Sequence, residues 1–417
     1  MSPVLPPPPL YPQRDLSVEV LGLRFENPFI LAAAPSTDDR DMVRRAFEAG
    51  WAGAILKTTS VPGTRVDLAY PMMSTFEHEG RRLFGMGNID LISERHVDAV
   101  EQDVRALKRE FPSKIVAASI MAGRQEDWQR LVERLEAAGA DFIECSFSCP
   151  QGNLGEEPGR MLAQNAALTE TVARWVKQAS RRTPVSIKIT PHVTDILDIA
   201  RAVQRSGCDA LTASNSIQAL MGVDLRTFVP NPPLGDRSTY SGLTGPAIKP
   251  ITLRTIAEIA RHVPLPVLGT GGASTWQDAV EFMAVGARVV QFCTVVMHHG
   301  FRVIEDLTSG MSHYLDTMGF ASPQDIVGRA LPHIVSHDEL RRAPVRSRIN
   351  AARCIGCELC HVACRDGGHL AIERAPGRVP VVDLQRCVGC GLCMHVCPEG
   401  CITMVEPAPA HPAAARR

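Results

Sequence analysis

The sequence predicts an α/β chain: a closed parallel barrel of eight strands and helices, followed by a small α+β domain rich in cysteine. Three observations predict it. From about residue 16 to 315, short apolar, β-branched runs alternate with longer helical patterns. Helical stretches tend to end in glycine just before the next apolar run. From about residue 346 to 405 the texture changes, with dense cysteines and short elements. Eight alternations over about 300 residues suit a (β/α)8 TIM barrel. A doubly wound open sheet is the rival, which periodicity alone does not separate from it.

In chain order the candidate strands are Pro28–Ala33, Gly53–Lys57, Ile115–Met121, Asp141–Phe147, Val185–Thr190, Asp209–Ser214, Pro266–Gly269 and Arg288–Cys293. Between them lie helical patterns at Asp41–Ala49, Glu126–Ala138, Ala166–Ser180, Thr194–Ser206, Pro250–Arg261 and Thr275–Ala284. The pairs Ala49-Gly50, Ala138-Gly139, Ser206-Gly207 and Val285-Gly286 read as helix ends, because glycine accepts the left-handed conformation that closes a helix. Residues 1–15 form a Pro-rich arm, 16–315 the barrel, 316–345 a connecting segment and 346–405 the cysteine-rich domain. A Pro- and Ala-rich tail at 406–417 is expected to be disordered.

A formal net charge of −1 argues against a nucleic-acid footprint, which needs a basic excess or stripe. No apolar run is long enough to span a bilayer. The N-terminus has neither a basic n-region nor an apolar h-region, so the chain reads as cytoplasmic rather than secreted. In that compartment thirteen cysteines point to metal binding or catalysis rather than a disulfide framework.

Most of those cysteines fall in two runs. Cys354-x2-Cys357-x2-Cys360-x3-Cys364 precedes Cys387-x2-Cys390-x2-Cys393-x3-Cys397-Pro398. This is the two-cluster ferredoxin spacing, in which the fourth cysteine of each run ligates the other cluster. It assigns Cys354, Cys357, Cys360 and Cys397 to one [4Fe–4S] cluster, and Cys387, Cys390, Cys393 and Cys364 to the second. Gly356, Gly389 and Gly391 let the backbone curl around them. A zinc site also uses C-x2-C pairs, but it has no use for two four-cysteine runs. Arg365 stands where a proline commonly follows the first run.

In such a barrel, reactive groups sit at the C-terminal ends of strands and phosphate binds after strands seven and eight. There the chain reads Gly269-Thr270-Gly271-Gly272-Ala273-Ser274 and Phe292-Cys293-Thr294. Small residues and backbone N–H groups suit a phosphate, although an ordinary Gly-rich turn would read the same. Lys57 and Lys188 end or interrupt apolar strands. A lysine inside a barrel is costly unless an anionic group meets it, as an anionic reduced flavin would; otherwise each faces solvent. Cys149, just past strand four and before Pro150, is placed to deliver a proton. Cys145, Cys208 and Cys293 fit the blander role of small buried hydrophobes. Asn88 and Asn215 fall in loops where a side-chain amide could pair with a lactam edge or simply shape a turn.

These residues carry a resemblance. The chain resembles the flavin- and pyrimidine-binding subunits of bacterial NAD-dependent dihydropyrimidine dehydrogenases, and the corresponding half of the animal enzymes, from about Leu16 to Met404. The carriers are Asn88-Ile89-Asp90-Leu91-Ile92-Ser93-Glu94, Phe147-Ser148-Cys149-Pro150, Ile189-Thr190-Pro191-His192, Ala213-Ser214-Asn215-Ser216, Tyr240-Ser241-Gly242-Leu243-Thr244-Gly245-Pro246, Gly269-Thr270-Gly271-Gly272 and the cysteine runs. The barrel is also similar to dihydroorotate dehydrogenases; the appended cluster domain favours the dihydropyrimidine branch.

The resemblance implies FMN in the barrel mouth, touched by Lys57 and Lys188, with Gly245, Gly271, Gly272, Cys293 and Thr294 around its phosphate. It implies Cys149 as general acid or base. Asn88, Asn215 and Ser216 would bind a pyrimidine, with Ser148 lining the site. The implied reaction reduces the C5=C6 bond of uracil or thymine. The chain departs from the family on the substrate side. Ser146 stands where an asparagine is usual, Asp90 where glutamate is usual, and the segment 151–165 lacks the family's repeated Gly-Met-Gly. No dinucleotide fingerprint is found: Gly85-Met86-Gly87 lacks the further glycine and the strand–helix setting. Electrons would therefore come from NAD(P)H through a separate FAD-bearing flavoprotein subunit, one at a time through the clusters. The resemblance also implies a barrel homodimer within a hetero-oligomer. Alternatives are another activated alkene or cyclic amide, dihydroorotate, or an electron carrier with a non-catalytic barrel.

Overall fold

The computed structural model describes residues 14–78, 81–147, 161–375 and 377–406. It divides into two compact units, 1–334 and 335–417.

In the first unit eight strands close a barrel: Phe29–Leu31, Gly53–Thr59, Ile115–Ile120, Phe142–Ser146, Val185–Lys188, Ala210–Ala213, Val267–Thr270 and Ala287–Phe292. All neighbours are parallel, and the eighth returns to the first through Val290–Phe29 and Phe292–Leu31. The open-sheet alternative is therefore excluded. The second strand is buried along its whole length, because helices cover the outside and side chains fill the inside. Helices close as their glycines suggest, with Gly50, Gly139 and Gly207 left-handed at φ 115°, 94° and 85°. Trp276–Ala284 differs slightly: Val285 is its cap and Gly286, at φ 115°, follows.

Three helices add to those read from the sequence: Val97–Glu110, Thr294–His299 and Val303–Met318. The first buries Val97, Val100, Val104 and Leu107 on one face. Short 3-10 turns follow at Pro323–Ile326, Leu331–His333 and His337–Glu339.

Two long loops position the site. The loop after the second strand supplies Met73–His78 and Arg81–Asn88; the loop after the sixth supplies Ile217–Ala219 and Ser241–Thr244. They join as one antiparallel four-stranded sheet, with Gly242 opposite Asn88 and Leu243 opposite Gly87. Both loops leave C-terminal strand ends, so this sheet stands at the reactive end of the barrel. A side chain at Gly87 would meet Met221 Cγ at 2.3 Å, so glycine is what lets the loops approach.

In the second unit Arg346–Ile349 pairs with Ile402–Val405, and Ile372–Glu373 with Val381–Val382. The helices are Leu359–Gly367 and Leu392–His395. Its buried core is Ala371, Ile372 and Ile402 together with Cys360, Cys364, Cys387, Cys393 and Cys401. So little apolar surface cannot hold a domain, which makes metal ligation part of its folding energy. Among the described residues no helix is long and apolar enough to cross a membrane.

Candidate functional site

A cavity of about 290 Å³ lies at the C-terminal end of the barrel. It brings together Lys57, Asn88, Ser146, Lys188, Asn215, Ser216 and Cys293. A smaller cavity of about 70 Å³ shares Lys188, Asn215, Ser216 and Cys293 with it, and adds Gly271, Gly272 and Thr294. Ser148 and Cys149 lie outside the described residues, as does most of the divergent segment that follows them.

Each lysine meets a carboxylate of the protein itself. Lys57 Nζ is 3.0 Å from Asp90 Oδ1, with both side chains over nine-tenths buried. Burial pushes the Asp90 carboxyl above its ordinary value, against the opposing pull of the Lys57 charge. Lys188 Nζ is 3.6 Å from Oε1 of Glu144, which is fully buried. Glu144 Oε2 accepts from Thr212 Oγ1 at 2.8 Å and Gln291 Nε2 at 2.9 Å. The counter-anion expected for each lysine is thus already present, and a flavin need not supply it. At 3.6 Å the Lys188 contact is an ion pair but not a good hydrogen bond, so its ammonium can still donate towards the cavities it lines.

The wall of the larger cavity around Asn88 is organised by backbone contacts. Asn88 Nδ2 donates to Gly242 O at 2.8 Å, which fixes the amide plane. Ser216 packs over Gly242, where a Cβ would come within 2.4 Å of its hydroxyl. Ser146 is 4% exposed at the end of the fourth strand. Met73, Met86, Met161 and Met297 supply much of the apolar wall.

The smaller cavity is shaped by glycine. Gly271 and Gly272 have φ 117° and 97°; a Cβ on either would lie 2.7 Å from Thr252 Oγ1 or Lys249 N respectively. Gly245, at φ 84°, sits beside Gly272 and Thr294. Ser214 Oγ and Gln291 Oε1, both on this cavity, are buried without a hydrogen-bond partner. Buried polar atoms are normally satisfied, so a polar group fits here. Lys249 is not available to it, being held by Asp278 at 2.7 Å and Glu281 at 2.9 Å. Burial raises the Cys293 thiol, and the Cys208 thiol to about 11, so both stay protonated at neutral pH.

Sequence reasoning missed Glu144 and Gln291. The signal for Glu144 was available: an acidic residue inside an apolar strand is a buried charge, which demands a partner. Gln291 gave none.

In the second unit two further cavities divide the cysteines. One is lined by Cys354, Cys357, Cys360 and Cys397, with Cys401; the other by Cys364, Cys387, Cys390 and Cys393. Among the described residues no three His, Cys, Asp or Glu side chains converge on one ion. A cubane instead wants thiols spread over the walls of a cavity, one per iron corner. Gly356, Gly389 and Gly391 have φ 69°, 76° and 84°, the backbone curl that the ligand spacing requires. Around the second cavity, Ser347 N donates to Cys387 Sγ at 3.5 Å and Ala371 N to Cys364 Sγ at 3.3 Å.

Comparison with known proteins places this geometry. Residues 15–315 match the dihydroorotate dehydrogenase family, and 347–404 match the 4Fe-4S dicluster domain. The chain is 38% identical over 367 residues to the PreA subunit of NAD-dependent dihydropyrimidine dehydrogenase from Escherichia coli K12, covering 86% of this chain and 88% of that one. It is 33% identical to the chloroplastic NADP(+) dihydropyrimidine dehydrogenase of Arabidopsis thaliana, covering 78% and 79%. It is also 33% identical to the catalytic subunit of dihydroorotate dehydrogenase B (NAD(+)) from Pyrococcus horikoshii, covering 76% and 99%. These matches imply a flavin in the barrel and iron–sulfur clusters in the second unit, which the cavities fit. The chain is a flavin and iron–sulfur oxidoreductase that belongs to the dihydroorotate dehydrogenase family, carries a 4Fe-4S dicluster domain and is similar over most of its length to dihydropyrimidine dehydrogenases.

Proposed function

We propose that the chain reduces the C5=C6 bond of uracil or thymine to the 5,6-dihydropyrimidine, using electrons delivered through two [4Fe–4S] clusters by an NAD(P)H-oxidising flavoprotein partner. One observation carries this reading. The barrel cavity gathers the amides of Asn88, Asn215 and Gln218, the serines Ser146, Ser216 and Ser241, and two charge-paired lysines, on a chain that also holds two cavities each lined by a set of four run cysteines.

FMN, held by Lys57 and Lys188 with its phosphate at Gly245, Gly271, Gly272, Cys293 and Thr294, would supply hydride transfer fed by single electrons. The chain's own residues do the rest. Asn88 and Asn215 present amides able to both donate to and accept from a pyrimidine lactam edge, with Ser216 and Ser146 on the same cavity; by the family resemblance Ser148 would also line the site. Donors there stabilise charge as it develops on the ring carbonyls. Cys149 Sγ would hold the proton destined for C5. Cys354, Cys357, Cys360 and Cys397 would ligate one cluster, and Cys364, Cys387, Cys390 and Cys393 the other. The relative named as a subunit supports a partner subunit, which would supply the nucleotide site whose fingerprint the sequence does not carry; a barrel homodimer within that assembly belongs to the same reading.

A second substrate class has a specific observation behind it. Ser146 shortens the rim and four methionines line the cavity, which suits a bulkier or less polar activated alkene or cyclic amide. Dihydroorotate is the weaker third reading, since its carboxylate would want a dedicated cation and each lysine on the cavity is already charge-paired within the protein. Product analysis separates these readings. Anaerobic protein reduced chemically and given uracil should bleach the ultraviolet band of the conjugated ring and yield dihydrouracil. Unchanged uracil and thymine, in protein with full flavin and iron, would move the assignment to the second class.

A further inference from the structure

The edge of the sheet over the barrel mouth is fastened by a side chain that the reaction does not use. Ile217–Ala219 is the outermost strand of that sheet. An edge strand turns alternate N–H groups away from its neighbour, and each needs an acceptor. For Gln218 the acceptor is an imidazole: its N–H donates to His192 Nε2 at 2.5 Å. His192 stands in the loop after the fifth strand, where its own N–H donates to Thr190 Oγ1 at 3.2 Å. The ring is half-buried, and burial lowers its basicity. A neutral ring that accepts at Nε2 carries its proton on Nδ1.

The contact sits at a junction. Gln218 is opposite Gly242, and Gly242 is opposite Asn88. These residues form one row across the sheet, tied further by Asn88 Nδ2 donating to Gly242 O. Asn215 and Ser216 come just before the edge strand, and they line the larger cavity together with Gln218 and Asn88. The place of this strand therefore sets where the polar wall of the cavity stands. The His192 carbonyl serves a different loop. It accepts from Gln164 Nε2 at 3.3 Å, and Gln164 Oε1 accepts from Met161 N at 3.3 Å. Met161 lies on the opposite loop of the same cavity, after the fourth strand. One residue thus serves two loops with different atoms, and a change of its side chain leaves the carbonyl link in place.

We propose that His192 is a positioning residue for substrate: its Nε2 pins the strand Ile217–Ala219 and so holds Asn215, Ser216 and, through Gly242, Asn88 in the arrangement that binds the ring. This rests on the reading that the cavity takes a pyrimidine or a similar cyclic amide. The role needs an acceptor at that place, not a charge and not a proton transfer. It acts on substrate binding and leaves the proton step assigned to Cys149 alone.

Two substitutions test this in the full chain. His192→Leu removes the acceptor; His192→Gln supplies one again, because the glutamine Oε1 reaches about as far as Nε2. Each anaerobically reduced protein is mixed with uracil or thymine over a range of concentrations while flavin reoxidation is followed. Flavin content and melting temperature report that the barrel has folded; should His192→Leu not accumulate, His192→Ala takes its place. His192→Leu should need about tenfold more substrate for half-maximal rate, with the rate at saturation unchanged, and His192→Gln should lie near wild type. A His192→Leu protein with wild-type substrate dependence overturns the proposal. So does a His192→Gln protein as impaired as His192→Leu, or a loss confined to the saturating rate. Hydrogen exchange at the Gln218 amide needs no substrate: it should be faster than wild type in His192→Leu and not in His192→Gln. Equal exchange in all three would overturn the pin. Wild-type flavin that neither uracil nor thymine reoxidises would instead refute the substrate reading, and the exchange comparison then decides whether His192 positions the strand.

Discussion

The barrel mouth and the cysteine-rich unit are built to hold their cofactors by opposite means. The second unit relies on thiolates closely spaced in sequence, around a core too small to stand on apolar burial. The barrel relies on a core that folds for its own reasons, then imports charge into it: Lys57 with Asp90, Lys188 with Glu144. In one region the cofactor makes the structure; in the other the structure is made first and the cofactor is fitted to it. Removal of metal and removal of a buried charge should therefore fail in different ways.

The largest difference should appear on losing a cluster ligand. Cys387→Ala, or chelation of iron, should strip a cluster and unfold the second unit, read as lost circular dichroism and rapid proteolysis within 346–405. The flavin content and melting of the barrel should be unchanged. Concerted loss of both units would erase the contrast.

Breaking the buried pair comes next. Glu144→Ala leaves Lys188 buried without its partner and should cost about 3–5 kcal/mol of barrel stability. Glu144→Leu/Lys188→Met, which removes both charges, should recover much of that in a double-mutant comparison, yet still bind flavin poorly. Additive losses would mean that the 3.6 Å contact is not a working pair.

Smaller effects sharpen the picture within each region. Ser347 Oγ lies 3.3 Å from Cys393 Sγ. Once that sulfur is a thiolate, the hydroxyl donates to it and stabilises the reduced cluster. Ser347→Ala should lower the potential of the second cluster alone, measured by redox titration with paramagnetic resonance. In the barrel, burial pushes Glu136 up, but backbone donors at Arg182, Thr183 and Arg181 outweigh it and carry the carboxyl below its ordinary value. The stabilisation it provides is complete above the ordinary carboxylate range and is lost as pH falls through the depressed value. Glu136→Gln should cost about 1 kcal/mol at neutral pH, and the gap in melting temperature from wild type should close in acid.

The same contrast decides what the sequence could reveal. The eight barrel strands and the ligand runs are local patterns: apolar runs ended by glycine, and cysteines at fixed spacing. The structure follows the strands to within a few residues, and the two four-cysteine sets line separate cavities. The barrel site depends on partners distant in the chain. Asn88 is held by Gly242, 154 positions away, and Gln291 reaches Glu144 across 147. No spacing encodes such contacts. The four-stranded sheet over the barrel mouth was illegible for the same reason, being assembled from two loops that are each irregular in sequence.

The central claim is that this cavity passes electrons to a pyrimidine. Its most direct test is rapid mixing of the anaerobically reduced protein with uracil or thymine while the flavin absorbance is followed, in wild type and Cys149→Ala. The account predicts prompt flavin reoxidation in wild type and a loss of about 100-fold or more in the variant, the range expected when a general acid is removed. A flavin that stays reduced in wild type, or reoxidises equally fast without the thiol, would contradict it.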